Sequence, residues 1–316
     1  MGTAARINRA RVFILLATFD GAAFLRDQLA SIAAQGHDDW LLIWRDDGSA
    51  DGTVAIVQEF ARGQAPGQVE HLAGPAGRVG SAASFLTLLR HAAPMLGERD
   101  LVAFADQDDV WLPFKLSRAV LALAEVDVDT PALYSARQVL VDAKLTALAV
   151  SAPVVAAVGF PAALTQNLAT GCTETLNRAA ARLVAGSDAP PGCQHDWWAY
   201  LLVTAAGGRF ITDDEPVVLY RQHGGNSVGA PRSFARRGLA AVRRGPGVFM
   251  GVMRQNVAAL DAQRHLLTPQ ARQQLDQIKG ALRGGPLRRM RALRLAGLRR
   301  QTWAEQVLFR LWFMFG

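Results

Sequence analysis

Residues 12–34 read VFILLATFDGAAFLRDQLASIAA. Val12–Thr18 is a continuous apolar run suited to a strand buried on both faces, and Phe24, Leu25, Leu29 and Ile32 recur at helical spacing across Ala23–Ala34. The same alternation continues outward, with Trp40–Arg45 reading as strand, Asp51–Phe60 as helix, Val69–Leu72 as strand, Ser81–Ala92 as helix and Leu101–Ala105 as strand. A βαβαβαβ order predicts an α/β fold with a doubly wound, mostly parallel sheet. In such sheets ligands bind beyond the carboxyl ends of the strands, at the crevice where the strand order reverses. Asp20 follows the first strand, Asp46 and Asp47 the second, and Asp106, Asp108 and Asp109 the fourth, so three acid-rich loops share one rim.

The densest of these loops, in AFADQDDVW at 103–111, sets three carboxylates within four positions. They repel one another, so a cation, water or a positive partner must offset the repulsion. The segment DDGSADG at 46–52 has part of a calcium-loop pattern, but its twelfth position is Gln58 and a strand precedes it. Asp20 and Asp51 also suit turn or helix-capping roles.

With 316 residues, half of them hydrophobic, the chain can bury a large core. Its two cysteines, Cys172 and Cys193, give neither a disulfide framework nor metal-ligand spacing, which fits a reducing cytosol. The basic N-terminus runs into a short apolar stretch without a cleavage site and reads as a first strand. The longest apolar stretch, Val150–Leu164, is interrupted by Pro153 and Pro161, so no spanning helix is expected. Charge divides the chain near Pro231. Residues 10–231 form the slightly acidic body: up to 231 the chain holds 17 Lys plus Arg against 24 Asp plus Glu, while 232–316 hold 17 against 3. In that basic region arginines interleave with Leu, Ala, Met and Val over Phe234–Arg244 and Leu287–Arg300, and the chain ends WAEQVLFRLWFMFG. An amphipathic helical appendage on an anionic membrane surface is expected, with packing on the body or a dimer contact as alternatives and no nucleic-acid motif.

Six segments then carry a resemblance: ATFDG at 17–21, RDDGSADGT at 45–53, FADQDDVWLPFKL at 104–116, TGCTETLNR at 170–178, HDWW at 195–198 and YRQHGGNSVG at 220–229. In this order they resemble family 2 glycosyltransferases, and within these the bacterial rhamnosyltransferase-like branch that builds cell-surface polysaccharides. The resemblance implies a glycosyltransferase A-type, Rossmann-like domain and an inverting transfer from a nucleotide-diphospho-sugar, dTDP- or UDP-linked and by best guess dTDP-rhamnose, to a saccharide or lipid-linked acceptor. It implies Mg²⁺ or Mn²⁺ held by Asp106, Asp108 and His223, with Asp109 behind them, since hard cations prefer oxygen ligands. Thr18, Phe19 and Asp20 are expected to border the base, with Asp46 or Asp47 accepting from its ring N–H, although Phe19 and Asp20 stand where the family more often has Tyr and Asn. Arg78 in the glycine-rich loop is a phosphate candidate, with loop flexibility as the plainer reading of its glycines. Gly171, Cys172, His195 and Trp197 are placed beside the donor or acceptor. Asp196 is expected to be the general base, with a helix cap as its alternative, and Arg221 and His223 to assist departure of the nucleoside diphosphate. A cytoplasmic enzyme, peripheral on the inner face of the membrane, follows. The competing readings are a non-catalytic membrane-associated nucleotide-binding protein and a sugar-phosphate nucleotidyltransferase, whose Gly- and Arg-rich loop after the first strand is missing here.

Overall fold

The computed structural model describes residues 10–74, 78–155, 158–224, 234–295 and 297–316. Its central sheet has the order β3-β2-β1-β4-β8-β6-β9-β5, with β7 beside β6. The first half is β1 (Val12–Thr18), β2 (Trp40–Asp46), β3 (Val69–His71) and β4 (Leu101–Ala105), all parallel. Beyond β4 lies β8 (Thr175–Asn177), antiparallel to both β4 and β6 (Ala132–Val141). The strand β9 (Arg209–Arg221) runs parallel to β6, while β5 (Val110–Trp111) and β7 (Ala147–Val150) are antiparallel to their partners. The expected α/β fold with a mostly parallel, mixed sheet is therefore present, and β1 sits at the switch point between β2 and β4.

The alternation of side chains along each strand explains why these runs are apolar throughout. Val12, Ile14 and Leu16, with Leu42, Trp44 and Ala103, pack against α1 (Leu25–Ala33) and α4 (Lys115–Ala124). Phe13 and Leu15, with Ile43 and Phe104, face α3 (Ser81–Ala92), α5 (Arg178–Ala185) and α6 (His195–Ala205) on the other side. The helix α2 (Thr53–Arg62) completes the first layer through Ile56 and Val57.

The helices α1 and α2 start two residues later than the periodicity predicts, while α3 spans Ser81–Ala92 as expected. Asp20 adopts a left-handed φ of 45° and the amides of Phe24 and Leu25 return to the Gly21 carbonyl, so a turn precedes α1. Asp51 lies outside α2, where its carboxylate accepts from the amides of Thr53 at 2.9 Å and Ala22 at 3.1 Å, tying the first two rim loops together.

The C-terminal region is helical, as expected. It comprises α7 (Phe234–Ala262, broken at Gly245 ahead of Pro246), α8 (Pro269–Leu282), α9 (Pro286–Leu295) and α10 (Trp303–Phe315). Thr268 caps α8 and Thr302 caps α10 by accepting from the third amide of each helix. The stretch predicted as helix to Arg300 ends at Leu295, and Gly297 beyond it has a φ of 67° that a continuing helix cannot accommodate. Met250, Met253, Leu260, Leu275, Phe309 and Phe313 join the same apolar cluster as Phe13, Phe85 and Trp198. The boundary expected at Pro231 and the GNSVG stretch at 225–229 lie outside the described residues, as does 75–77 of the glycine-rich loop.

Candidate active site

The carboxyl ends of β1, β2 and β4 bring the three acid loops onto one rim. Thr18 is buried at the end of β1 and its hydroxyl donates to Asp46 at 2.9 Å. Phe19 is held through its backbone, because its N–H donates to the Gln107 side chain at 2.8 Å and its carbonyl accepts from it at 2.9 Å. This clasp joins the loops that follow β1 and β4. It requires glycine at position 21, where an added Cβ would collide with the Gln107 amide. The guanidinium of Arg78 lies 3.7 Å from the centroid of the Phe19 ring. Asp20 is exposed and accepts from the Ala50 amide at 2.8 Å.

The paired acids of the second loop are spent differently. Asp46 accepts from the amides of Gly48 and Ser49 and from the Thr18 and Ser49 hydroxyls, an arrangement that closes its own turn. Asp47 is buried, with Oδ1 accepting from Val79 N–H at 2.8 Å and Arg45 at 3.0 Å, and Oδ2 from Gly80 N–H at 2.7 Å. Burial alone would raise this carboxyl, but the two amides and the Arg45 guanidinium hold it below the usual carboxylate range. Arg45 itself is buried and also donates to Ser84 on α3. Gly74 is the residue that lets it pass, since a Cβ there would meet the guanidinium.

The loop after β4 carries Asp106 and Asp108, two of the three metal candidates. Asp108 and His223 meet at 2.7 Å between Oδ2 and Nε2, both partly exposed, and Asp106 is half-buried beside them. Burial, then the charges of Asp108 and Asp196, lift the Asp106 carboxyl to about 7. Asp106, Asp109 and Cys172 also converge, with one ligand atom from each within 4.8 Å of the others. That second cluster suits Mg²⁺ or Mn²⁺ poorly, because it includes a thiol and its Asp109 and Cys172 are fully buried. Carboxylate oxygens with an imidazole suit those ions, and Asp108 and His223, which meet on the rim, are such groups, whereas Asp106 converges with Asp109 and Cys172.

Arg221 is buried and braces the loop from beneath. Its Nε donates to the Asp108 carbonyl at 2.8 Å, its Nη1 to the Ala143 carbonyl at 2.6 Å and its Nη2 to the Asp27 carboxylate at 2.8 Å. Its own amide donates to Asp109 Oδ1 at 3.1 Å, and its guanidinium lies over the Phe24 ring.

Asp196 is the second residue of α6, two past Gln194, which occupies the cap position. Oδ2 accepts from Gly171 N–H at 3.2 Å and Oδ1 from Trp197 N–H at 2.6 Å. Burial outweighs these bonds and pushes the carboxyl up to about 6. Gly171 must be glycine here, because a Cβ would come within 2.9 Å of His195 Nε2. His195 stacks on Phe85 at 4.0 Å between centroids and meets Phe104 edge-on at 4.8 Å, and burial keeps it neutral by lowering it to about 3. Trp197 donates from its indole N–H to the Ala163 carbonyl at 2.9 Å.

Several polar residues of the site are not singled out by the sequence. Gln107 and Arg45 bind their loops as described. Glu174, just before β8, is fully buried with neither carboxylate oxygen bonded among the described residues, and burial and the charges of Asp196 and Asp106 raise it well above the usual range. Lys115 is equally buried, its ammonium 3.6 Å from the centroid of the Trp111 ring and lowered by burial to about 7.

The mixed α/β sheet, with acid loops after its first, second and fourth strands and the half-buried Asp196 on α6, has the glycosyltransferase A-type fold. The profile of Glycosyl transferase family 2 matches residues 13–148. Over these residues, which hold β1–β4 and the acid loops, the chain is similar to the nucleotide-sugar-dependent glycosyltransferases of family 2. It is 29% identical over 231 residues to the dTDP-rhamnosyl transferase RfbG of Shigella flexneri, covering 69% of this chain and 75% of that one. Among solved structures, the mannosyltransferase PcManGT of Pyrobaculum calidifontis, in complex with GDP-Man and Mn²⁺, superposes with a TM-score of 0.52 at 19% identity over 96% of this chain and 88% of its own. S. aureus TarS in complex with UDP-GlcNAc gives a TM-score of 0.52 at 15% identity over 79% of this chain and 66% of that chain, just under two thirds. These two likenesses are of fold.

Proposed function

We propose that the protein is an inverting, divalent-metal-dependent glycosyltransferase that moves rhamnose from dTDP-rhamnose to a saccharide or lipid-linked acceptor on the inner face of the membrane. The observation that carries this reading is the carboxylate of Asp196, oriented by two backbone amides and raised to about 6 beside the Asp106–Asp108–His223 group. A carboxyl with that affinity for protons is ionised at neutral pH yet basic enough to accept one. Asp196 takes the proton of the acceptor hydroxyl as its oxygen bonds to the anomeric carbon. The bond from that carbon to the diphosphate breaks, its electron pair leaves with the nucleoside diphosphate, and one displacement inverts the anomeric centre.

The base is placed against Phe19, whose backbone the Gln107 clasp fixes. Asp106, Asp108 and His223 are the residues that would hold a cation, which supplies compensation for the charge of the departing diphosphate. Arg221 positions that loop through the Asp108 carbonyl, and Asp47 anchors the loop that carries Arg78 toward the phosphates. The rhamnosyl assignment is supported by the 29% identity to the Shigella flexneri enzyme.

The test is thermal stabilisation by a panel of dTDP-rhamnose, UDP-glucose, UDP-GlcNAc and GDP-mannose, with Mg²⁺ or Mn²⁺, since a specific ligand stabilises by mass action. dTDP-rhamnose should give the largest, metal-dependent shift, and Asp108→Asn should remove the metal dependence. Stabilisation by GDP-mannose alone would contradict the donor assignment, and no stabilisation by any member would contradict the site.

A further inference from the structure

The helix α10 hides only one side of itself. Phe309 and Phe313 are buried, and the ring of Phe249 on α7 lies 5.9 Å from Phe309 and 5.6 Å from Trp312. The opposite side exposes Trp303 (82%), Val307 (37%), Leu311 (51%) and Phe315 (80%), four positions each one step of four residues apart. That spacing keeps them along one face of a helix. Arg289 on α9 donates to the carbonyls of Phe313 and Met314, which fixes α9 to the last turn of α10, and α9 exposes Leu287 and Met290.

The same two helices carry positive charge. The acids of residues 232–316 are Asp261, Asp276 and Glu305, and Arg264, Lys279 and Arg300 already engage all three. Arg288, Arg291, Arg294 and Arg310 are exposed and form no ion pair among the described residues. An exposed apolar stripe on helices that also carry exposed arginines outside the ion pairs of the described residues matches the surface of an anionic bilayer, where hydrocarbon takes the side chains and headgroup phosphates take the arginines. No described helix is long and apolar enough to cross a membrane. The 13 residues of α10 extend about 20 Å, which suits a helix lying in the interface plane.

We infer that α10, with the exposed edge of α9, is a bilayer-docking face: Trp303, Val307, Leu311 and Phe315 enter the headgroup boundary, and Arg288, Arg291, Arg294 and Arg310 bind anionic lipid phosphates. The inference rests on this surface alone and stands or falls separately from the donor and the reaction.

The full-length protein is sedimented with phosphatidylcholine vesicles containing or lacking phosphatidylglycerol. Binding should require the anionic lipid and weaken as salt rises, because screening acts on the exposed arginines. The combined Trp303→Ser, Leu311→Ser and Phe315→Ser variant should bind about tenfold or more weakly, each side chain losing its transfer into hydrocarbon. Arg288→Gln and Arg291→Gln should each cost about fivefold. Circular dichroism and thermal unfolding confirm that these surface variants fold. The proposal is overturned if the wild-type chain ignores anionic vesicles at low salt, or if the serine variant binds them as well as wild type. It is equally overturned if that variant dissociates a dimer while leaving vesicle binding untouched, since the face would then be covered by a second copy.

Discussion

Single residues decide whether the rim loops meet. Gln107 links two loops 88 positions apart in the chain, and only the absence of a side chain at Gly21 gives it room. Replacing Gly21 by Ala should push the amide off the Phe19 backbone and weaken nucleotide binding about five- to tenfold, the worth of one or two hydrogen bonds. Gln107→Ala should do the same without the clash. Calorimetric affinities equal to wild type for both would remove the clasp from the site. Asp106, Asp108 and Asp196 are legible as candidates in the sequence because each is an acid just past a strand end or inside a motif. His223 came only with the motif, since no spacing rule links it to Asp108. Gln107 escaped notice because its role depends on a backbone distant in sequence. Glu174 and Lys115 escaped because charged side chains usually lie at the surface, whereas here both are fully buried beneath the rim.

At the level of elements, the strands that were legible are those buried on both faces, whose apolar runs have no competing reading. The strands beyond β4 were not. β8 has three residues, and β9 carries Asp213, Asp214 and Glu215 in mid-strand, so neither shows an apolar run or a clean alternation. The glycine-rich loop after β3 could be seen as a loop but not as an anchored one. Its anchor is the buried Arg45–Asp47 pair, whose Asp47 also accepts the amides of Val79 and Gly80. Asp47→Asn would leave the Arg45 charge buried without its counter-ion and turn an N–H of the new amide toward a backbone N–H. The expected cost is about 3–5 kcal/mol of unfolding free energy, measured by urea denaturation. A loss under about 1 kcal/mol would show that the loop is held by other means.

Across the whole molecule, the change from an acidic body to a basic C-terminal region was plain in composition, and so was its helicity. What composition could not give is that the face of these helices opposite the exposed stripe packs into the body's own apolar cluster, because contacts such as Phe313 with the Phe85 and Trp198 cluster are set by tertiary placement. The sheet, the rim and this cluster together fix α6, and α6 carries Asp196. The central claim is therefore tested at that carboxylate, by measuring nucleotide-sugar affinity, thermal stability and transfer rate side by side on Asp196→Asn. Binding and stability should persist while transfer falls about 10²- to 10⁴-fold. Wild-type kcat/KM should rise with pH through about 6, as the carboxyl loses the proton that blocks it, and this limb should vanish in the variant. Near-normal transfer by Asp196→Asn, or a fall in stability that accounts for the fall in rate, would contradict the account.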